Sequence, residues 1–327
     1  MQNLLDPAIL FFIFGVLAGA VRSNLEIPPA ISRFLSLYLL MALGLKGGFA
    51  LSVSGLTSTV AISLAAAVAL AIYVPLIGYF FLKRFVSGFD AAAVAATYGS
   101  VSAVTFVTAV QYLENQGVSY GGHMAAAMAL MESPAIIMAV VFANALRQKA
   151  GVAAEVVAAS LKPKVSIRKI LHESFTDGAQ LLLIGAMAIG LLTGESGKAA
   201  MQPFSGDLFK GMLSFFLLDM GLIAARNLPQ VRGKSPVLVA YAVVGPMVHA
   251  ALALALAYAL QLSAGDGALL MVLAASASYI AVPAVLRYAL PESNPSLYFG
   301  LSLGVTFPLN ILFGIPVYAS IAKACLS

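Results

Sequence analysis

Long apolar stretches alternate with short polar connections along the whole chain. A helix that crosses the hydrocarbon core of a bilayer needs about 20 mostly apolar residues. By that criterion the pattern predicts ten transmembrane helices. Their ranges are 7–21, 31–51, 57–82, 91–112, 120–146, 178–192, 208–225, 236–262, 267–290 and 297–322.

Two of the predicted helices are interrupted by small polar residues. The fourth contains "YGSVSAVTF" (98–106), and the ninth contains "SASYIAVPA" (276–284). Small residues allow close backbone approach, hydroxyls supply short hydrogen-bond donors, and proline removes a backbone donor. The pattern indicates discontinuous helices near the middle of the membrane.

The two halves of the chain align with one another at these stretches. Ser100 aligns with Ser278, and at the same offset Glu114 aligns with Glu292 and Tyr120 with Tyr298. Five helices per half is an odd number, so the second half must enter the membrane upside down. We therefore predict an all-α membrane protein of two inverted five-helix repeats, typical of transporters. The first repeat is 1–147, a cytoplasmic linker is 148–177, and the second repeat is 178–327.

Related by a twofold axis, the two polar stretches would meet at the centre of the protein. Two helix N-termini that face one another would form a small anion site without a basic side chain. The alternative is that these small residues only pack helices closely together. The candidate residues are Gly99, Ser100, Ser102, Thr105, Ser276, Ser278, Tyr279 and Pro283.

Three charged residues lie well inside predicted helices, where an unpaired charge is costly. Lys46 and Asp219 occupy repeat-related helices, so an ion pair between them is one interpretation and a coupling role is another. Glu132 precedes Pro134 and would coordinate a cation, carry a proton or hydrogen-bond a freed backbone group. Each of these alternatives stays open from the residues alone.

Composition supports the membrane class and sets the orientation. The chain is 61% hydrophobic and 9% charged, against about 25% charged residues in globular domains. Most of its 18 Lys and Arg residues fall in connections that share one side, which predicts that both termini are extracytoplasmic. The net charge of +5 therefore reflects membrane topology rather than nucleic-acid binding. A single cysteine, Cys325, excludes an intrachain disulfide, and the sequence shows no catalytic constellation and no firm metal site, so we expect no enzyme.

Several motifs in order along the chain resemble the sodium-dependent bicarbonate transporter family, best known from cyanobacteria. They are "EIPPAIS" (26–32), "GLKGG" (44–48), "GSVSAVT" (99–105), "MESPA" (131–135), "VHAAL" (248–252) and "AASASYIAVPAVLRYALPESNPSLYFG" (274–300). The resemblance implies a homotrimer in the bacterial inner membrane that binds bicarbonate between the broken helices, with sodium beside it and elevator-like movement. It adds Val101 and Ile280 to the substrate-binding candidates, and it raises a cytoplasmic PII-like regulator as a partner.

The chain departs from that family's pattern at positions that bear on sodium. Tyr279 stands at the position of an aspartate, and Lys46 stands at that of a threonine. A lysine ammonium could replace the charge of the cation. The expected function is uptake of bicarbonate or a similar small anion, coupled to sodium. The alternatives are uptake of another small carboxylate with proton coupling or none, and a membrane sensor that does not transport.

Overall fold

The computed structural model describes residues 5–55, 57–149, 178–231 and 233–326. Within these ranges the chain is helical and contains no strand. We number the helices α1 (Pro7–Ala20), α2 (Pro29–Ser54), α3 (Ser58–Leu82), α4 (Gly88–Gly99), α5 (Ala103–Asn115), α6 (Met124–Lys149), α7 (Gly178–Met201), α8 (Phe209–Asn227), α9 (Pro236–Ala259), α10 (Ala264–Ala275), α11 (Ala281–Ala289) and α12 (Pro295–Leu326). The linker 148–177 lies almost entirely outside the described residues.

Capping residues explain where several helices begin. Asp6 accepts a hydrogen bond from the amide of Ala8, and Ser87 accepts one from the amide of Asp90. These side chains satisfy N–H groups that the first helical turn leaves without a partner. Proline occupies the first turn of α1, α2, α9 and α12, where its missing N–H costs nothing.

Helices α7 and α12 depart from regular geometry. Gly194 bends α7 with a φ of 55°, a conformation that favours glycine. The sixth predicted helix therefore continues past residue 192 to Met201 through a kink. In α12, π-helical turns at Ser302–Thr306 and Asn310–Gly314 flank the proline at position 308.

The lengths and composition of the helices confirm the prediction of an all-helical membrane protein. The described residues contain seven candidate membrane spans, one of which covers α4 with α5 and another α7 with α8. Helices α1 and α10 are apolar but shorter. Large apolar side chains such as Phe14, Tyr73 and Leu192 remain exposed, as lipid-facing surfaces require. The arrangement as ten helices in two inverted repeats remains a prediction.

The helices pack into two groups. Helices α1, α2, α7 and α8 form the paired bundle, in which α1 packs along α8 and α2 along α7. Helices α3 to α6 and α9 to α12 form the broken-helix bundle. If the halves are inverted repeats, the pair α1–α8 corresponds to the pair α7–α2, and the observed packing has that pattern.

Glycines set the close contacts inside the paired bundle. A Cβ added at Gly15 of α1 would lie 2.2 Å from the carbonyl oxygen of Leu218 in α8. A Cβ added at Gly48 of α2 would lie 2.1 Å from the carbonyl oxygen of Met187 in α7. Close backbone packing through small residues is a common way to hold membrane helices together.

Candidate functional site

Serines flank the interruption in each broken helix. Helix α4 ends at Gly99, and Ser102 caps α5 by accepting a 3.2 Å hydrogen bond from the amide of Thr105. Helix α10 ends at Ala275, and the hydroxyl of Ser278 accepts a 3.3 Å bond from the amide of Val282 in α11. Serine suits these positions because its hydroxyl can replace a missing helical partner.

The two interruptions are bonded to one another. The amide of Ser102 donates to the hydroxyl of Ser276 over 3.0 Å, and the amide of Ser278 donates to the carbonyl of Thr97 over 2.8 Å. Backbone groups within a membrane must find partners inside the protein. Each interruption therefore supplies a hydrogen-bond acceptor for a backbone amide of the other. The two stretches meet as the sequence predicted.

Helix α12 supplies further partners behind the interruptions. The side-chain amide of Asn310 donates to the carbonyl of Ala275, the last residue of α10, over 2.8 Å. The hydroxyls of Tyr98 and Thr306 lie 2.6 Å apart, and Thr306 also donates to the carbonyl of Ala242. All of these contacts are buried. They hold the ends of the broken helices in fixed positions.

A cavity of about 240 Å³ lies beside the interruptions, between the two bundles. We call it the central cavity. Ala103 and Ala281, the first residues of α5 and α11, both line it. The other lining residues are Ser36, Leu40, Val101, Ser102, Met128, Ala129, Glu132, Ile136, Ala179, Gln180, Leu183, Ser278, Tyr279, Ile280 and Val285. The wall thus combines two helix N-termini with hydroxyls, the carboxylate of Glu132, the amide of Gln180 and apolar side chains.

The structure places the predicted substrate-binding residues in two layers. Val101, Ser102, Ser278 and Ile280 line the central cavity. The other predicted residues do not line it and lie behind the wall, and they are Gly99, Ser100, Thr105, Ser276 and Pro283.

Packing explains why three of these residues lie behind the wall. Gly99 is pressed against Pro75, whose Cδ would be 2.5 Å from an added Cβ. Thr105 donates its hydroxyl to that of Ser102 over 2.9 Å and so holds the cavity-lining serine. Pro283 is the third residue of α11, where a helix tolerates proline, so the interruption precedes it.

Tyr279 lies on the cavity wall and contacts both bundles. Its hydroxyl is 3.4 Å from the hydroxyl of Ser102 and 3.9 Å from the sulfur of Met220 in α8. Its ring packs edge-on against Phe307 with 5.4 Å between centroids. The side chain therefore presents a neutral phenol to the cavity.

Glu132 contributes a carboxylate to the cavity wall and is bonded across the bundles. The side-chain amide of Gln180 in α7 donates to it. Sequence reasoning missed Gln180, although a polar residue in the first turn of an apolar helix was a signal for it. This contact joins α6 of the broken-helix bundle to the paired bundle.

The structure does not pair Lys46 with Asp219, because each residue has another partner. Lys46 lies 3.0 Å from the Glu114 carboxylate, and Asp219 accepts a hydrogen bond from Ser32. Lys46 also lines a separate cavity of about 670 Å³ rather than the central one. Its ammonium therefore does not replace a cation at the central cavity.

Comparison with known proteins identifies the family of this chain. The chain matches the sequence profile of the Na⁺-dependent bicarbonate transporter superfamily over residues 7–323. Comparison with individually curated proteins gives no match. Because the profile covers nearly the whole chain, this protein belongs to the Na⁺-dependent bicarbonate transporter superfamily.

Proposed function

We propose that this protein is a secondary active transporter of the bacterial inner membrane that imports bicarbonate or a similar small monovalent anion. The observation that carries the proposal is the central cavity, whose wall includes the first residues of two interrupted helices, Ala103 and Ala281. Membership of the superfamily points to bicarbonate as the substrate. The same evidence favours a transporter over an enzyme.

The anion would be held by polar groups without a full positive charge. Backbone N–H groups at a helix N-terminus carry partial positive charge and bind anions. Ser102 and Ser278 place their hydroxyls beside the N-termini of α5 and α11. No Lys, Arg or His is among the described residues that line the cavity. Binding of a singly charged anion suits such a wall better than binding of a multiply charged one.

Movement of one bundle against the other would give alternating access. The central cavity lies between the paired bundle and the broken-helix bundle. We propose that the broken-helix bundle carries the anion in an elevator-like movement, and that residues 1–147 and 178–327 are inverted repeats. A homotrimer held through the paired bundle, with a PII-like regulator at the linker 148–177, completes the proposal.

Sodium coupling would require oxygen ligands at the central cavity. Sodium needs several oxygen ligands, and the cavity offers the carboxylate of Glu132 and the hydroxyls of Ser36, Ser102 and Tyr279. The phenol of Tyr279 is neutral where the family pattern has a carboxylate. Glu132 and Tyr279 are therefore the coupling candidates at the cavity, whereas Lys46 and Asp219 lie elsewhere.

Uptake by purified protein in proteoliposomes tests the proposal. We expect uptake of radiolabelled bicarbonate at alkaline pH, faster with an inward sodium gradient than with a potassium gradient. Uptake that responds only to a proton gradient would remove sodium coupling and keep transport. Absence of uptake of any small anion by folded protein under all gradients would overturn the proposed function and favour a sensor.

The apolar part of the wall favours a second candidate substrate. Leu40, Met128, Ile136 and Leu183 surround space that could accommodate the carbon chain of a small carboxylate. A short monocarboxylate would then place its charged group at the helix N-termini. Competition of unlabelled monocarboxylates against bicarbonate uptake distinguishes these substrates.

A further inference from the structure

A polar cluster joins the two bundles at one end of the molecule. The ammonium of Lys46 in α2 lies 3.1 and 3.0 Å from the two carboxylate oxygens of Glu114, at the end of α5. Tyr120 donates its hydroxyl to the same carboxylate over 2.9 Å. The ammonium also lies 4.0 Å from the centre of the Phe209 ring in α8. Lys46 and Phe209 belong to the paired bundle, whereas Glu114 and Tyr120 belong to the broken-helix bundle.

This cluster and the central cavity both include residues of α2 and α5, and the cluster lies farther along these two helices. On α2, Lys46 follows the cavity-lining Leu40 by about 9 Å of helix rise. On α5, Glu114 follows Ala103 by about 16 Å. Lys46, Glu114 and Tyr120 line the 670 Å³ cavity at this end, which the charge bias predicts to be extracytoplasmic. The cluster therefore lies between the central cavity and that face.

The aligned positions in the other half of the chain do not carry this ion pair. Glu292, which aligns with Glu114, lies 2.9 Å from Arg147 of its own bundle. The position that aligns with Lys46 is Ile223, an apolar residue of α8. If the opposite state of the transporter exchanges the roles of the repeats, Glu292 would meet Ile223 instead of a lysine. A cross-bundle ion pair at this place therefore belongs to one state only.

We propose that Lys46, Glu114, Tyr120 and Phe209 form a latch that closes the extracytoplasmic end and stabilises the state seen in this structure. The latch rests on the proposed function, because it requires the bundles to move past one another. Both partners are partly shielded, with 22% of the Lys46 side chain and 32% of that of Glu114 exposed. Opening must separate the ammonium from the carboxylate, so removal of either charge favours the open state.

Thiol labelling of a cavity residue tests the latch without any substrate. In a Cys325→Ser background, Ala129→Cys places one cysteine on the central cavity wall. A membrane-impermeant maleimide, added outside, should label it slowly in this parent. Adding Lys46→Met or Glu114→Gln should raise the labelling rate about fivefold, which corresponds to about 1 kcal/mol. The exchanged pair Lys46→Glu with Glu114→Lys should restore slow labelling.

Lys198→Met is the matched control. Lys198 lines the same large cavity, but it pairs with Glu195 of its own helix, so its loss should leave labelling unchanged. If the Lys46 and Glu114 variants fold as the parent does and label at the parent rate, the latch is wrong. That result together with normal uptake would overturn the latch alone. Absent uptake with accelerated labelling would overturn the proposed function alone.

Discussion

Ser102 shows how much depends on one hydroxyl in a broken helix. Its oxygen caps the amide of Thr105, accepts the hydroxyl of Thr105 and lies 3.4 Å from that of Tyr279. Its amide reaches the other interruption through Ser276. The same residue therefore shapes the helix N-terminus and faces the central cavity.

Ser102→Ala should reduce uptake about fivefold, because loss of a serine cap costs about 1 kcal/mol and removes a hydroxyl from the wall. Ser102→Thr, which keeps the hydroxyl, should retain more uptake. Rates of anion uptake in proteoliposomes measure the effect. Ser320→Ala is the control, since Ser320 is exposed and bonds only within its own helix. Equal rates for the alanine and parent proteins would contradict a role for this hydroxyl.

Acid should weaken the contact between Glu292 and Arg147. Burial, the largest single influence, raises the pKa of Glu292, but the hydrogen bond from Arg147, a backbone hydrogen bond and the charge of Arg147 together outweigh it and hold the pKa below its ordinary value. Because the pKa of this carboxyl is lower in the folded protein than in the unfolded chain, its ionised form stabilises the fold at pH values above about 4.5. This contribution to stability is lost as the pH falls through the folded-state pKa.

Glu292→Gln should therefore lower the melting temperature slightly at neutral pH and make it fall less as the pH drops below about 4.5. The pair is partly exposed, so the expected effect is below about 1 kcal/mol. Melting curves of detergent-purified protein across pH measure it. Glu195→Gln, at an exposed pair within α7, serves as the comparison. Parallel pH curves for the Glu292 variant and the parent would refute the expectation.

At the scale of helices, some glycines lie at close contacts between helices and others lie where a side chain would meet nothing. Gly48 touches the backbone of α7 at Met187, whereas Gly185 and Gly211 have nothing within 4 Å of an added Cβ. All three lie in helices of the paired bundle. They differ only in what surrounds them, which makes them a matched set.

Gly48→Ala should destabilise the protein by about 1–3 kcal/mol, because the new methyl group meets backbone that cannot move aside easily. Gly211→Ala should be neutral or stabilise, since alanine favours helix by up to about 1 kcal/mol. Thermal unfolding in detergent compares the two variants. A Gly48 variant as stable as the Gly211 variant would show that α2 and α7 do not pack this closely.

The all-helical membrane class could be predicted from the sequence, because apolar stretches of about 20 residues are long enough to cross a bilayer. The interruptions could also be predicted, since Gly99, Ser100 and Ser276 are unusual in a continuous apolar helix. The cavity wall could not, because it depends on which face each helix turns inward. This is why Thr105 and Ser276 lie behind the wall and why Gln180 was missed.

At the scale of the whole molecule, the pairing of charged side chains from distant helices was the least predictable feature. Lys46 and Asp219 were brought together by alignment of the halves, whereas the fold gives Lys46 a partner 68 positions away in Glu114. Charge bias predicted the orientation of the whole chain, and that prediction has a direct test.

Cys325 reports the orientation, because it is the only cysteine and is exposed near the end of α12. A membrane-impermeant maleimide should label it in intact cells and should not label it when added to the outside of sealed inverted vesicles. As the opposite control, Cys325→Ser with Arg84→Cys should label only in inverted vesicles, since Arg84 lies in a connection predicted to be cytoplasmic. Reversed labelling of both proteins would overturn the predicted topology.

The hydrogen bonds between the two interruptions also constrain how the protein is made. Ser102 of the first half relies on Ser276, and Thr97 supplies the acceptor for Ser278. The ribosome releases the first half before these partners exist, so its interrupted helix meets the lipid with polar backbone groups unsatisfied. The chain must therefore keep α4 and α5 near water or within the insertion machinery until α10 arrives. We therefore expect that synthesis of the two halves as separate polypeptides yields stable protein only when both are present in one membrane.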